Sequence, residues 1–247
     1  MCGRYLITSA PEAIRALFRY PERPNFPPRY NVAPTQPVPI VRLEQNERHF
    51  ALVRWGFIPS WVDDPRSFSL LINARSESAA DKPAFRAALL RRRCLFPADG
   101  FYEWQREGQR SRPFVVRPKS GTLIAFAGVW ETWMGPNGEE IDSAAILTTD
   151  ASRSLAHIHA RMPVILAPEV FDTWLDPNSE LNVAQALLAP APEGLLDAYE
   201  ISPTVNAVAN DSPELLAPAS LSVEPSPPPE RSVKARRSVD PDQGSLF

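Results

Sequence analysis

The chain has 247 residues, 44% of them hydrophobic, and a formal net charge of −3 at pH 7, enough material for one large domain, or one domain plus a tail, around a substantial core. No run of about 18 apolar residues marks a transmembrane helix, and no basic-then-apolar leader marks secretion, so a membrane role is not expected. Only Cys2 and Cys94 are present, too few for a disulfide framework, which fits a reducing, cytoplasmic setting.

The charge is unevenly spread. Residues 1–120 carry 20 Lys+Arg against 11 Asp+Glu and residues 121–247 carry 6 against 18, so balances of +9 and −12 make up the net value. A mildly acidic chain can therefore still present a cationic face. Arg91-Arg92-Arg93 and Arg110 to Lys119 are candidate segments for it, or simply solvated charge.

In chain order, Cys2 to Ile7 reads as a short strand and Pro11 to Arg19 as a helix, with Ser9 as its cap and Ile14, Leu17 and Phe18 on one face. Residues 20–37 are proline-rich and read as an extended loop, of a length that tends to be functional or disordered. Val38 to Leu43 and Phe50 to Phe57 form a strand pair about the polar turn Glu44-Gln45-Asn46-Glu47. Pro83 to Arg92 is a second helix, with Pro83 tolerated in its first turn. Cys94 to Trp104, Pro113 to Arg117, Leu123 to Thr132, Ser143 to Thr148 and Val164 to Leu166 are strand-like, and Glu169 to Leu175 is a short helix. Strands in succession with helices at the margins predict an α+β fold on a curved, mainly antiparallel, barrel-like sheet. Residues 1–222 form the domain. Residues 223–247 are Pro-rich and poor in core formers, hence an expected disordered tail. Its end, Gln243-Gly244-Ser245-Leu246-Phe247, places an apolar pair on a tether. It resembles the pentapeptide with which bacterial replication proteins hold the DNA sliding clamp, in which Gln243, Leu246 and Phe247 would be the anchors.

The chemistry starts at Met1-Cys2-Gly3-Arg4. Removal of Met1 would leave an α-amine and a thiol on one residue, groups that ordinarily titrate near about 8 and about 8.5. An amine condenses with an aldehyde to an imine, and the adjacent thiol can close a thiazolidine ring, so the natural electrophile is an aldehyde. Asn73, Arg75, Glu103 and the segment His157 to Pro163 stand out as companions. Glu103, between Tyr102 and Trp104, is either strand-surface polarity or a desolvated acid with a raised pKa. His157 and His159 lack the further ligands a metal needs, and a histidine near an amine nucleophile is better suited to moving protons, so neither a metal nor another cofactor is expected.

Met1-Cys2-Gly3-Arg4-Tyr5, Tyr30-Asn31-Val32-Ala33-Pro34, Trp55-Gly56, Ile72-Asn73-Ala74-Arg75, Arg93 to Trp104, Phe126 to Trp130 and His159-Ala160-Arg161-Met162-Pro163, in this order, resemble the SOS response-associated peptidase (SRAP) family. The resemblance runs from Cys2 to about Pro218. It implies a monomeric, nucleoid-associated protein that crosslinks itself through Cys2 to abasic sites in single-stranded DNA, removes its own Met1, and has a weak lyase activity. By matching position, Asn73 would orient the sugar or the Cys2 backbone, Glu103 would move protons during imine formation, and His159 would assist ring opening and reversal. Arg4, Arg75 and Arg161 match positions that meet phosphate, while Asn31, Pro34, Trp55 and Trp61 would shape the strand's channel. Some bacterial members carry two tryptophans where this chain has Trp61-Val62. Two other readings of the same residues are a Cys2-dependent peptidase acting on other proteins and a single-strand binding module that leaves Cys2 unused.

Overall fold

Strands carry most of the structure, and the reason is visible in the sequence: short apolar runs separated by Gly, Pro and Asn rather than long amphipathic stretches. The computed structural model describes residues 2–219. The tail predicted for 223–247, with Gln243, Leu246 and Phe247, lies outside the described residues.

Strand β1 (Arg4–Ile7) leads into helix α1 (Pro11–Phe18), followed by β2 (Arg29–Val32), β3 (Pro37–Glu44), β4 (Glu47–Trp55) and β5 (Asn73–Arg75). Helix α2 (Pro83–Arg91) precedes β6 (Arg93–Ala98), β7 (Gly100–Glu107), β8 (Arg110–Pro118), β9 (Ile124–Met134) and β10 (Glu140–Asp150). The chain continues through β11 (Arg161–Pro163), β12 (Ile165–Leu166), α3 (Phe171–Leu175), α4 (Leu181–Ala186) and β13 (Leu196–Glu200). The predicted loop 20–37 thus holds β2, and β5, β11, α4 and β13 are additional to the predicted elements.

Pairing makes two sheets. In the larger one β10, β4, β3, β6 and β9 run side by side and β9 pairs back onto β10, closing a barrel. Its pairs are antiparallel except those of β10 with β4 and with β5. The second sheet runs β13-β8-β7-β1-β2. β6 is buried at every position because β3 and β9 flank it inside the barrel, which accounts for the unbroken apolar run Cys94-Leu95-Phe96.

The stretch Cys94–Trp104 is two strands, not one, and the break is structural. Asp99 separates β6 from β7 and hands the chain from the barrel to the second sheet. Its carboxylate accepts from the Thr8 and Ser9 backbone N–H groups at 2.5 and 2.9 Å, and from the Ser9 hydroxyl at 2.5 Å. Ser9 therefore does not cap α1, where Ala10 holds that position without a side-chain bond. Arg91-Arg92-Arg93 is not a continuous cationic face either. The buried Arg93 guanidinium donates to the Leu89 and Leu90 carbonyls at the end of α2 and to those of Trp174 and Asp176 at the end of the later helix α3, and Arg92 pairs with Glu131 at 2.5 Å. Tyr5, Trp55, Phe101 and Phe126 meet edge to face in the core between the sheets, and this cluster fixes β1 against the barrel.

Candidate active site

Cys2 sits just before β1, fully buried, with its thiol toward the Arg4 carbonyl at 3.7 Å. Asn73, the first residue of β5, donates from Nδ2 to the Cys2 carbonyl at 2.8 Å. The Asn73 backbone is itself held twice: β5 pairs with β10 at Asn73–Ile146, and the preceding Ile72 carbonyl accepts from the Trp55 indole N–H at 3.0 Å. This gives the Trp55-Gly56 pair its structural meaning. Gly56 takes φ of +139°, a region closed to other residues, and a Cβ there would meet Leu70 at 2.5 Å.

Glu103 arrives from the other sheet. β1 pairs with β7 at Arg4–Tyr102, and continuing that register by one residue sets Glu103 level with Gly3. Its carboxyl is buried, and this burial raises its pKa while His159 nearby pulls it back down. Burial also pushes the Cys2 thiol far up, and the Glu103 charge adds to the rise. The ordinary thiol value therefore does not carry over to this buried position, where burial disfavours the thiolate. Tyr5 Oη and Asn73 Oδ1 are buried and make no hydrogen bond among the described residues. Both lie on residues whose neighbour is Cys2.

His159 closes the site from a turn, not from a strand. His159 Nδ1 lies 3.0 Å from the Arg161 backbone N–H and 3.2 Å from the Arg161 carbonyl, so the Arg161 backbone holds the ring whichever nitrogen carries the proton. Gln105 of β7 ties the same turn down by donating to the His157 carbonyl at 2.9 Å. The His157 side chain is exposed and shares no strand face with His159. A cavity of about 760 Å³ opens among Glu103, Trp104, Arg106, Ser111, Ile158 and His159. Asn73 and Glu103, far apart in sequence, thus meet at Cys2, and His159 stands beside Glu103 across this cavity. Among the described residues, no group of three or more His, Cys, Asp or Glu side chains is placed to hold a metal, and no helix is long and apolar enough to cross a membrane.

The remaining predicted residues divide by exposure. Arg75 is exposed, on the same face of β5 as Asn73. Trp61 stands 59% exposed with Phe68 edge-on against it. Trp55 is fully buried and offers no ring face to a ligand. Asn31 is also buried. It donates to the carbonyls of Val205, Ala207 and Asn210 and accepts from Arg4 at 2.7 Å, while Arg4 further donates to Val205 and Asn206. Pro34 begins the turn that precedes β3 and is partly buried. Arg161 is bound by Glu77 and Asp150. Sequence reasoning missed Gln105, Arg106, Glu77 and Asp150. Their contacts span separations such as 84 residues for Arg161–Glu77, which local spacing does not register.

The model of the SOS response-associated peptidase family matches residues 1–208 of the chain. The chain belongs to the SRAP family. It is 38% identical over 221 residues to the abasic site processing protein YoqW of Bacillus subtilis (strain 168), a match covering 87% of this chain and 99% of that protein. It is 34% identical over 252 residues to the abasic site processing protein HMCES of Rattus norvegicus, covering 86% and 71%. A crystal structure of a Bacteroides thetaiotaomicron protein superposes with a TM-score of 0.79 at 25% identity, over 88% of this chain and all of that one. A Bordetella bronchiseptica protein gives 0.71 at 27% identity, over 81% and 100%. The SRAP fold is thereby shared across the barrel and the second sheet.

Proposed function

We propose that this protein recognises abasic sites in single-stranded DNA and shields them through a reversible covalent bond to Cys2, formed once Met1 has been removed. The observation that carries the reading is the chain of contacts from Cys2 to the Asn73 amide and to the buried Glu103 carboxyl, with His159 next to Glu103 at the cavity. The names of the relatives point to the substrate class.

In the proposed reaction the Cys2 α-amine adds to the C1′ aldehyde of the ring-opened sugar, giving a carbinolamine. Loss of the hydroxyl as water leaves an imine, and the thiol adds to that carbon, its proton moving to nitrogen, to close the thiazolidine. Aldehyde, amine and thiol thus become one ring with release of one water. The raised pKa of Glu103 suits it to hold a proton and deliver it to the departing hydroxyl. Asn73 Nδ2 orients the Cys2 backbone, and its Oδ1 is available to accept from a sugar hydroxyl. His159 carries the proton for sugar ring opening and for the reverse reaction, in which one water restores aldehyde, amine and thiol. An imine that persists before ring closure can undergo β-elimination, the source of a weak lyase activity.

For the strand itself, Arg75 and the cationic residues of the rim take phosphates and Trp61 stacks on a base. Asn31, from inside, holds Arg4 and the segment around Val205 in place. Burial of the thiol, which disfavours its thiolate form, favours amine-first crosslinking over a thiolate peptidase acting on other proteins.

The test is intact mass after mixing the protein with a single-stranded oligonucleotide bearing one abasic site. A species lacking Met1 and heavier by the oligonucleotide less one water is expected. Loss of Met1 without an adduct would return the peptidase reading, and full retention of Met1 would remove the reactive terminus altogether. His159→Ala is expected to slow adduct release about 10²-fold or more while leaving single-strand affinity within about threefold. An unchanged release rate, measured by transfer to a competing abasic oligonucleotide, would end that assignment. The tail motif is a separate proposal. Deleting residues 243–247 is expected to abolish capture by a bacterial sliding clamp and leave crosslinking intact, and capture that survives the deletion would show the motif to be accidental.

A further inference from the structure

Arg161 is held in an unusual way for a cation at the rim of a DNA-binding site. Glu77 grips it with both oxygens, Oε1 to Nη1 at 2.6 Å and Oε2 to Nη2 at 2.9 Å, and Asp150 takes Nη1 as well at 2.8 Å. The Thr148 carbonyl accepts from Nη2 at 2.7 Å. The guanidinium is only 15% exposed, whereas the Glu77 and Asp150 side chains are half or more exposed. Ion pairs with partners this exposed contribute little to stability. Two carboxylates on one guanidinium also make a cluster of net charge −1, which repels phosphate. Stability and simple attraction to DNA therefore both fail to account for the arrangement.

Its geometry links the catalytic groups. The backbone N–H of the same Arg161 lies 3.0 Å from His159 Nδ1, and its carbonyl lies 3.2 Å from that nitrogen. Glu77 follows β5, the strand that presents Asn73 to Cys2, and β5 and β11 lie on either side of β10 at Thr148, which pairs with Arg75 and with Pro163. The Glu77–Arg161 pair thus spans β10 and joins the Asn73 strand to the His159 turn.

We propose that Glu77 is a positioning residue. It fixes the Arg161 backbone that orients His159, and it masks the Arg161 charge so that the strand is held less tightly than that cation would otherwise allow. The inference rests on the reading that His159 releases the adduct, and it assigns Glu77 an effect on binding opposite in sign to its effect on release. A residue that merely supported the fold would lower both.

The experiment compares wild type, Glu77→Gln, Arg161→Gln and the double variant by affinity for an undamaged single-stranded oligonucleotide across salt, and by adduct release. Glu77→Gln is expected to bind several-fold tighter, with a salt slope steeper by about 0.7, as one additional phosphate contact gives on a single strand. It is also expected to release the adduct about tenfold more slowly. In the Arg161→Gln background the affinity gain from Glu77→Gln should vanish. Asp150→Asn, which removes the single-oxygen partner, should shift both readouts the same way by less, and serves if Glu77→Gln does not fold. A gain that persists without Arg161 would reduce the effect to general charge, and weaker binding or normal release in Glu77→Gln would overturn the proposal. If instead His159→Ala releases at the wild-type rate, it is the underlying reading of His159 that falls.

Discussion

Cys2→Ala is expected to form no adduct that survives denaturation, while its affinity for an undamaged single strand stays within about threefold of wild type. The variant, with Met1 taken off by an added aminopeptidase, which accepts the small alanine at position 2, keeps an α-amine at the same place. Imine formation therefore remains open and only ring closure is lost. Borohydride should accordingly trap a complex with Cys2→Ala, and without borohydride the abasic oligonucleotide should be cut by β-elimination faster than by wild type. The sulfur's contribution is then a trap placed next to the imine carbon. A denaturation-stable adduct in Cys2→Ala would move the covalent bond to another residue.

Glu103→Gln is the second large effect, with opposite consequences for rate and stability. Replacing a positioned acid by an amide of the same shape should slow adduct formation about 10²–10⁴-fold. In wild type the rate should fall as pH rises through the elevated pKa of Glu103, because the proton donor is then lost, and this limb should be absent from the variant. Stability should change the other way. Burial raises the Glu103 pKa above its unfolded value, so the folded state binds that proton more tightly. The ionised carboxylate therefore penalises folding, and stability falls as pH rises from the unfolded pKa through the folded one. Glu103→Gln should consequently melt at a higher temperature than wild type at neutral pH, with the gain shrinking toward zero below the usual carboxylate range. A variant that melts lower at neutral pH, with unaltered adduct kinetics, would place Glu103 among the structural residues.

The sequence by itself determined the chemistry on offer and most of the strands. A cysteine behind the initiator methionine, the Asn73-Ala74-Arg75 and His159-Ala160-Arg161 segments, and the carboxylate between two aromatics at Tyr102 and Trp104 are local features, as are the alternating apolar runs of β3, β4, β9 and β10. Helices α1 and α2 could be placed because proline at the first turn and one apolar face are signals a short window contains.

Only the tertiary structure decided which of these residues act together. Asn73 reaches Cys2 because β5 pairs with β10 at Ile146, 73 residues away in sequence, and Glu103 does so because Asp99 turns the chain from one sheet into the other. Trp55 and Asn31, readable in the sequence as channel residues, turn inward because an indole N–H and a carboxamide can donate to carbonyls inside the fold. Arg161 looks like any phosphate-binding arginine in the sequence, since its two carboxylate partners come from the turn after β5 and from the position directly across from it on β10. Hydrogen bonds and ion pairs between distant strands depend on register and sheet order, and these are set by how the whole core packs, which no local window of residues contains.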